Sequence, residues 1–175
     1  LGHARLSILD LSTAGHQPML SADGRFSMVF NGEIYNYKTI RAELIALGHT
    51  FVGSGDSEVV LASLREWGVN AVERFIGMFA IAYWDTKTDT LTLIRDRVGV
   101  KPLYYAWDGQ NICFASELKA LKPFKHWQSE INKVAVGEYL QYGYISAPRT
   151  IFNDTFKLKP GHMLTLKKGE EPKIE

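Results

Sequence analysis

The stretch Met78-Phe79-Ala80-Ile81-Ala82-Tyr83-Trp84, followed by Thr90-Leu91-Thr92-Leu93-Ile94, decides the fold class. The first run is nearly all apolar, as a strand covered on both faces would be. The second alternates polar and apolar residues, the pattern of a half-exposed strand. Just beyond, Leu103 to Trp107 and Gln110 to Ala115 flank Asp108-Gly109, the strongest short hairpin signal in the chain. Together these segments read as an antiparallel meander.

Upstream, Phe26 to Phe30 is a short aromatic and branched run that predicts a buried strand. Ile40, Leu44 and Leu47 then recur at helical spacing, with Gly48 as a stop. Val60, Leu64 and Trp67 define a second helix, ended by Gly68. Downstream, Asn132 to Gln141 predicts a helix and His162 to Leu166 a last strand. Helices early and late around a central antiparallel sheet predict a layered α+β fold, and disfavour the regular βαβ alternation of a doubly wound one.

With 175 residues, 46% of them hydrophobic, the chain can bury a sizeable core as one domain. Lys and Arg number 20 against 19 for Asp and Glu, a formal net charge of +1. Neither sign forms a long run, so nucleic-acid and membrane-surface partners are not expected. Lys157, Lys159, Lys167 and Lys168 are interrupted by Pro160 and Gly161 and read as a solvated face. The single cysteine, Cys113, excludes an internal disulfide and fits a reducing compartment, so a cytoplasmic location is expected. No apolar stretch is long enough to span a bilayer. The opening Leu1-Gly2-His3-Ala4-Arg5 has neither an initiator Met nor a signal-peptide pattern, and the expectation is a fragment of a longer chain.

Four polar features fall at expected strand ends or loops. Asn31-Gly32-Glu33 follows the apolar run ending at Phe30; a side-chain amide and an adjacent glycine N–H can converge as an oxyanion hole, where losing one donor costs roughly 3–4 kcal/mol. The same dipeptide is also a type I′ hairpin turn, which is the better reading when it is taken alone. Arg5 can grip a carboxylate with two parallel hydrogen bonds, or pair with a surface acid at a strand edge. Asp56, in Gly53-Ser54-Gly55-Asp56-Ser57-Glu58, can accept from an ammonium or merely cap the second helix. Arg95-Asp96-Arg97 opens a charged loop that runs to Tyr105, expected to be fixed by Arg–Asp pairing. Cys113 reads as a buried inert thiol, and His3, His16, His49, His126 and His162 show no metal-ligand spacing, so no metal is expected.

The order of these blocks is specific. Gly2-His3-Ala4-Arg5-Leu6-Ser7-Ile8-Leu9-Asp10, Gln17-Pro18-Met19, Phe30-Asn31-Gly32-Glu33-Ile34-Tyr35-Asn36, Ser54-Gly55-Asp56-Ser57-Glu58-Val59, Gly77 to Ala82 and Arg95 to Tyr105 resemble the class II glutamine amidotransferase domains. Ala147-Pro148-Arg149-Thr150-Ile151-Phe152 with Lys157-Leu158 and Pro160-Gly161-His162 resembles the asparagine synthetase branch. The resemblance covers essentially the whole chain, residues 1–175. It implies an N-terminal-nucleophile hydrolase fold, a four-layer αββα sandwich of two antiparallel sheets between helices, here without its first strand. It also implies hydrolysis of glutamine, with ammonia passed to a separate synthetase domain.

Carried over by residue, Arg5 would hold the substrate α-carboxylate, with Leu6, Ser7, Ile8 and Leu9 as the same wall. Asn31 and Gly32 would form the oxyanion hole, Glu33 would complete that loop, and Asp56 would bind the α-ammonium. These roles displace the turn and cap readings. The family's nucleophile is an N-terminal cysteine; position 1 here is Leu1, and Cys113 lies outside every matching block. The resemblance therefore implies a domain without its nucleophile and inactive alone. It places ATP, Mg²⁺ and aspartate in an absent C-terminal domain and no cofactor in this one. Another class II amidotransferase, an asparagine-synthetase-like enzyme with a different acceptor and a non-catalytic scaffold are the alternatives, and a homodimer stays open.

Overall fold

The computed structural model describes residues 1–3 and 15–175. Among these residues, six strands form the main sheet: β1 (Met19–Leu20), β2 (Phe26–Ile34), β3 (Gly77–Asp85), β4 (Thr90–Arg95), β8 (Met163–Lys167) and β9 (Lys173–Ile174), in the spatial order β1-β2-β3-β4-β8-β9. Three more, β5 (Tyr104–Trp107), β6 (Ile112–Ala115) and β7 (Thr155–Lys157), form a second sheet in the order β6-β5-β7. Every pairing is antiparallel.

Period-two alternation distributes each strand's side chains between two cores. Met28, Phe30 and Ile34 of β2 and Phe79, Ile81 and Tyr83 of β3 face one side, with α1 (Tyr37–Ala46) and α2 (Asp56–Trp67) packed over them. These helices contribute Ile40 and Leu44, and Val59, Val60 and Leu64, at the expected helical spacing. Val29, Ala80, Ala82, Leu91 and Leu93 face the other side, where Tyr105, Ile112 and Phe114 of the second sheet meet them, with Leu103 just ahead of β5. The outer face of the second sheet is covered by the 3-10 turn Leu118–Leu121 and by Trp127, a thin fourth layer over Ala106 and Cys113.

Two expectations shift here. The strand predicted to stop at Phe30 runs on to Ile34, which places Asn31-Gly32 inside β2 rather than in a turn. The strand expected to be half-exposed, β4, is buried from Leu91 to Ile94 because both its faces are covered: Leu91 and Leu93 meet the second sheet, while Thr92 and Ile94 alternate to the helix-covered side. The Asp108-Gly109 hairpin forms: Gly109 takes φ +94°, and the Asp108 carboxylate accepts from the Gln110 and Asn111 amides at 2.9 and 2.6 Å.

Candidate active site

The direction of the β2 backbone governs the site. In an antiparallel ladder, alternate residues turn both N–H and C=O toward the same neighbour. Phe79, opposite Gly32, uses its oxygen and its N–H on Asp96, on the β4 side. Gly32 therefore turns its backbone the other way, toward the β1 edge. Its neighbours in phase confirm the direction. Phe30 exchanges two bonds with the Gln17 side chain, donating to Oε1 at 2.6 Å and accepting from Nε2 at 3.0 Å. Ile34 donates to Asp56 Oδ2 at 2.9 Å. Among the described residues no strand pairs with β2 at Gly32 on this side, and its N–H points outward between two occupied positions.

Only glycine fits at that place. A Cβ on Gly32 would lie 2.2 Å from the Met78 carbonyl oxygen and 2.7 Å from Phe79 Cα. The residue is there for a close strand approach, not for a turn. Asn31, one residue earlier, lies on the face of β2 shared with Val29 and turns toward the second sheet. Its Nδ2 donates to Ser116 Oγ at 3.2 Å, across the gap between the sheets. A side-chain amide and a backbone N–H are so brought to one corner.

Asp56 is the first residue of α2; Gly55, not Asp56, is the cap. The carboxylate turns back to the β2 edge instead, and it is only 5% exposed. Burial raises its pKa, and the Glu33 charge adds to this, while the Ile34, Asp56 and Ser57 amides pull it down. Glu58, two residues on, accepts from the Val52 and Gly53 amides at 3.2 and 2.6 Å and so fixes the preceding loop.

Asn31, Gly32, Glu33 and Asp56 all line one cleft of about 770 Å³ between β2, the start of α2 and β6. Residues up to 25 positions apart in sequence, on two elements, thus share a hollow large enough for an amino acid. Arg5, Leu6, Ser7, Ile8 and Leu9 lie outside the described residues. Gln17 and Ser116, to which the sequence reading gave no role, use their side chains on the Phe30 backbone and on Asn31 respectively; only the non-local pairing reveals them. Leu1, Gly2, His3 and Cys113 also line this cleft. The Cys113 side chain, however, packs with Ala106 and Leu121 on the outer face of the second sheet, and burial pushes its thiol pKa up. That is the opposite of nucleophile activation.

The charged loop after β4 is fixed, but not by Arg–Asp pairing. Asp96 is 1% exposed and accepts from the amides of Phe79, Val98, Val100 and Lys101 at 2.9–3.3 Å. Those amides hold its carboxyl below the ordinary value against the cost of burial. Arg95 donates to the carbonyls of Gly99, Lys101 and Leu158, and Arg97 to those of Val72, Glu73 and Phe75. Each charge caps backbone groups that would otherwise be orphaned. No group of three His, Cys, Asp or Glu among the described residues is placed to hold a metal ion.

A family model described as a glutamine amidotransferase domain matches residues 1–174. The chain belongs to that family. Asparagine synthetase [glutamine-hydrolyzing] 3 of Bacillus subtilis (strain 168) is 36% identical to this amidotransferase domain over 170 residues, which cover 95% of the chain and 28% of the relative. A putative asparagine synthetase [glutamine-hydrolyzing] 2 of Methanocaldococcus jannaschii is 40% identical over 175 residues, 91% of the chain and 33% of the relative. The domain thus spans about a third or less of these relatives' length. The solved glutamine phosphoribosylpyrophosphate amidotransferase of B. subtilis, complexed with ADP and GMP, superposes with a TM-score of 0.69 over 99% of this chain and 33% of its own, at 19% identity. The fold is the α+β sandwich of the N-terminal-nucleophile amidotransferases. No helix among the described residues is long and apolar enough to cross a membrane.

Proposed function

We propose that this amidotransferase domain binds glutamine in the β2-edge cleft and releases its amide as ammonia, for use in a longer protein that makes asparagine. One observation carries the reading: the Gly32 N–H and the Asp56 carboxylate lie on the same strand edge, two residues apart in register. Two residues of strand span about 7 Å. Glutamine, with a hydrogen bond at each end, bridges that distance from amide oxygen to α-ammonium.

The chemistry follows from the placement. A thiolate attacks the amide carbon, the carbonyl oxygen becomes an oxyanion, and Asn31 Nδ2 with the Gly32 N–H receives the charge. The C–N bond then breaks, ammonia leaves with a transferred proton, and water cleaves the thioester to glutamate. Asp56 holds the α-ammonium, Arg5 the α-carboxylate with Leu6 to Leu9 beside it, and Glu33 completes the wall. We assign the nucleophile to a cysteine ahead of Leu1, because Leu1, Gly2 and His3 line the cleft while the Cys113 thiol is packed with Ala106 and Leu121 and its pKa is pushed up by burial. ATP, Mg²⁺ and aspartate belong on this reading to the remainder of the longer protein. A cytoplasmic setting goes with it, which the single cysteine fits.

Ammonia release from glutamine by residues 1–175, set beside the parent protein, tests the assignment of the nucleophile. The parent is expected to release ammonia and residues 1–175 to stay at background. Release above background from residues 1–175 would show that the chemistry has another source.

A further inference from the structure

Helix α3 (Lys133–Tyr142) carries apolar or aromatic side chains at Val134, Ala135, Val136, Tyr139, Leu140 and Tyr142, yet only Ala135 is buried. Leu140 is 79% exposed and Val134 69%. A helix apolar on most sides belongs in an interior, not in water. Steps of three bring Val134, Gly137 and Leu140 onto one face. Gly137 is itself unexplained within the domain. A glycine inside a helix weakens it relative to alanine, and a Cβ added at Gly137 would meet nothing within 4 Å. A bare glycine between two exposed apolar residues is what close approach by another backbone requires.

The helix is held from behind. Asn132 caps it through the Ala135 amide at 3.1 Å and donates its own amide to Ile151 O at 2.9 Å. Glu138 accepts from the Ser146 amide at 2.7 Å and pairs with Arg149 at 2.9 Å. The segment that anchors α3 is therefore the Ala147 to Phe152 block, the one that resembles the asparagine synthetase branch in particular.

We infer that the Val134–Gly137–Leu140 face of α3 seats the remainder of the longer protein. This rests on the reading that the domain works as one part of such a protein, whose relatives extend well beyond the matched region. A second copy is a poorer occupant. A stable dimer needs about 800 Å² per partner, whereas ten residues of helix offer a face about 15 Å long. A tethered partner has an effective concentration that lets a small apolar patch suffice.

Cysteine labelling of the parent protein tests this. Leu140→Cys and, as a control, Val52→Cys (92% exposed here) are exposed to a maleimide and followed by peptide mass. The Leu140→Cys thiol is expected to react at least tenfold more slowly than the control, at every protein concentration. Equal rates would overturn the inference, and so would protection that fades on dilution, which would indicate a second copy. Adding Gly137→Leu to Leu140→Cys should restore fast labelling; continued protection would overturn the close approach. Glutamine hydrolysis is not read in this experiment, so an error in the active-site assignment leaves its outcome unchanged.

Discussion

Replacing Asp56 with Asn in the parent protein separates the two uses of this carboxylate. Asn preserves the volume, and its Oδ1 can still accept from the Ile34 amide that Asp56 Oδ2 now binds at 2.9 Å. What it removes is the charge facing the cleft. Hydrogen bonds to charged groups contribute about 1.5–3 kcal/mol, and at 5% exposure solvent screens this one little. At 1.4 kcal/mol per factor of ten, the KM for glutamine should rise about 10- to 150-fold. Ammonia-dependent synthesis does not use the α-ammonium contact and should be spared.

Stability should move the other way. Burial raises the Asp56 pKa, so the folded state binds a proton more tightly than the unfolded chain does. The cost of holding the carboxylate ionised is absent below the ordinary value and appears as pH rises through the raised one. Asp56→Asn should therefore match the parent at low pH and be equally or more stable at neutral pH. The assay is product formation with glutamine or with ammonium as nitrogen source, alongside thermal melts across that range. Equal loss of both activities, or a large loss of stability at neutral pH, would refute the ligand role of Asp56.

Three further predictions concern other parts of the site and the fold. Asn31→Ala in the parent should lower kcat for glutamine by about 10²- to 10³-fold with little change in ammonia-dependent synthesis; steady-state kinetics with each donor checks it. Gln17→Ala removes both bonds to Phe30, each leaving a buried backbone group at a cost of about 1–3 kcal/mol, and denaturant unfolding should show a correspondingly lower midpoint. Asp85, bound to Arg25 at 2.9 and 2.7 Å, has its pKa depressed to about 2 chiefly by that guanidinium, so its stabilisation is present above the ordinary 3.8 and is lost as pH falls through about 2. Asp85→Asn should flatten the parent's loss of stability across that acid window in chemical denaturation.

What the sequence reveals and what it hides follow from how local each signal is. Helices α1 and α2 are legible because Ile40 and Leu44, and Val60 and Leu64, repeat at the helical period against a single apolar face. The Asp108-Gly109 hairpin is legible because the turn's backbone demand is met by the two residues themselves. Asn31-Gly32 is not legible in the same way: the same dipeptide suits a turn, and only the closeness of Met78 and Phe79 shows why a strand needs that glycine. The burial of β4 is hidden because both of its faces are covered by elements distant in sequence, the second sheet over Leu91 and Leu93 and the helix-side core around Thr92 and Ile94. The Gln17 and Ser116 contacts span 13 and 85 residues, beyond the reach of any pattern in a window. For the charged loop, the sequence shows charges but not that Asp96 would find four backbone amides in place of an arginine.

The most direct measurement of the central claim is a structure of the parent protein, its nucleophile replaced so that substrate is not consumed, with glutamine bound. The amide oxygen is expected within hydrogen-bond distance of Asn31 Nδ2 and the Gly32 N–H, and the α-ammonium on Asp56. Glutamine seated away from the β2 edge, or reversed so that its amide meets Asp56, would contradict the account.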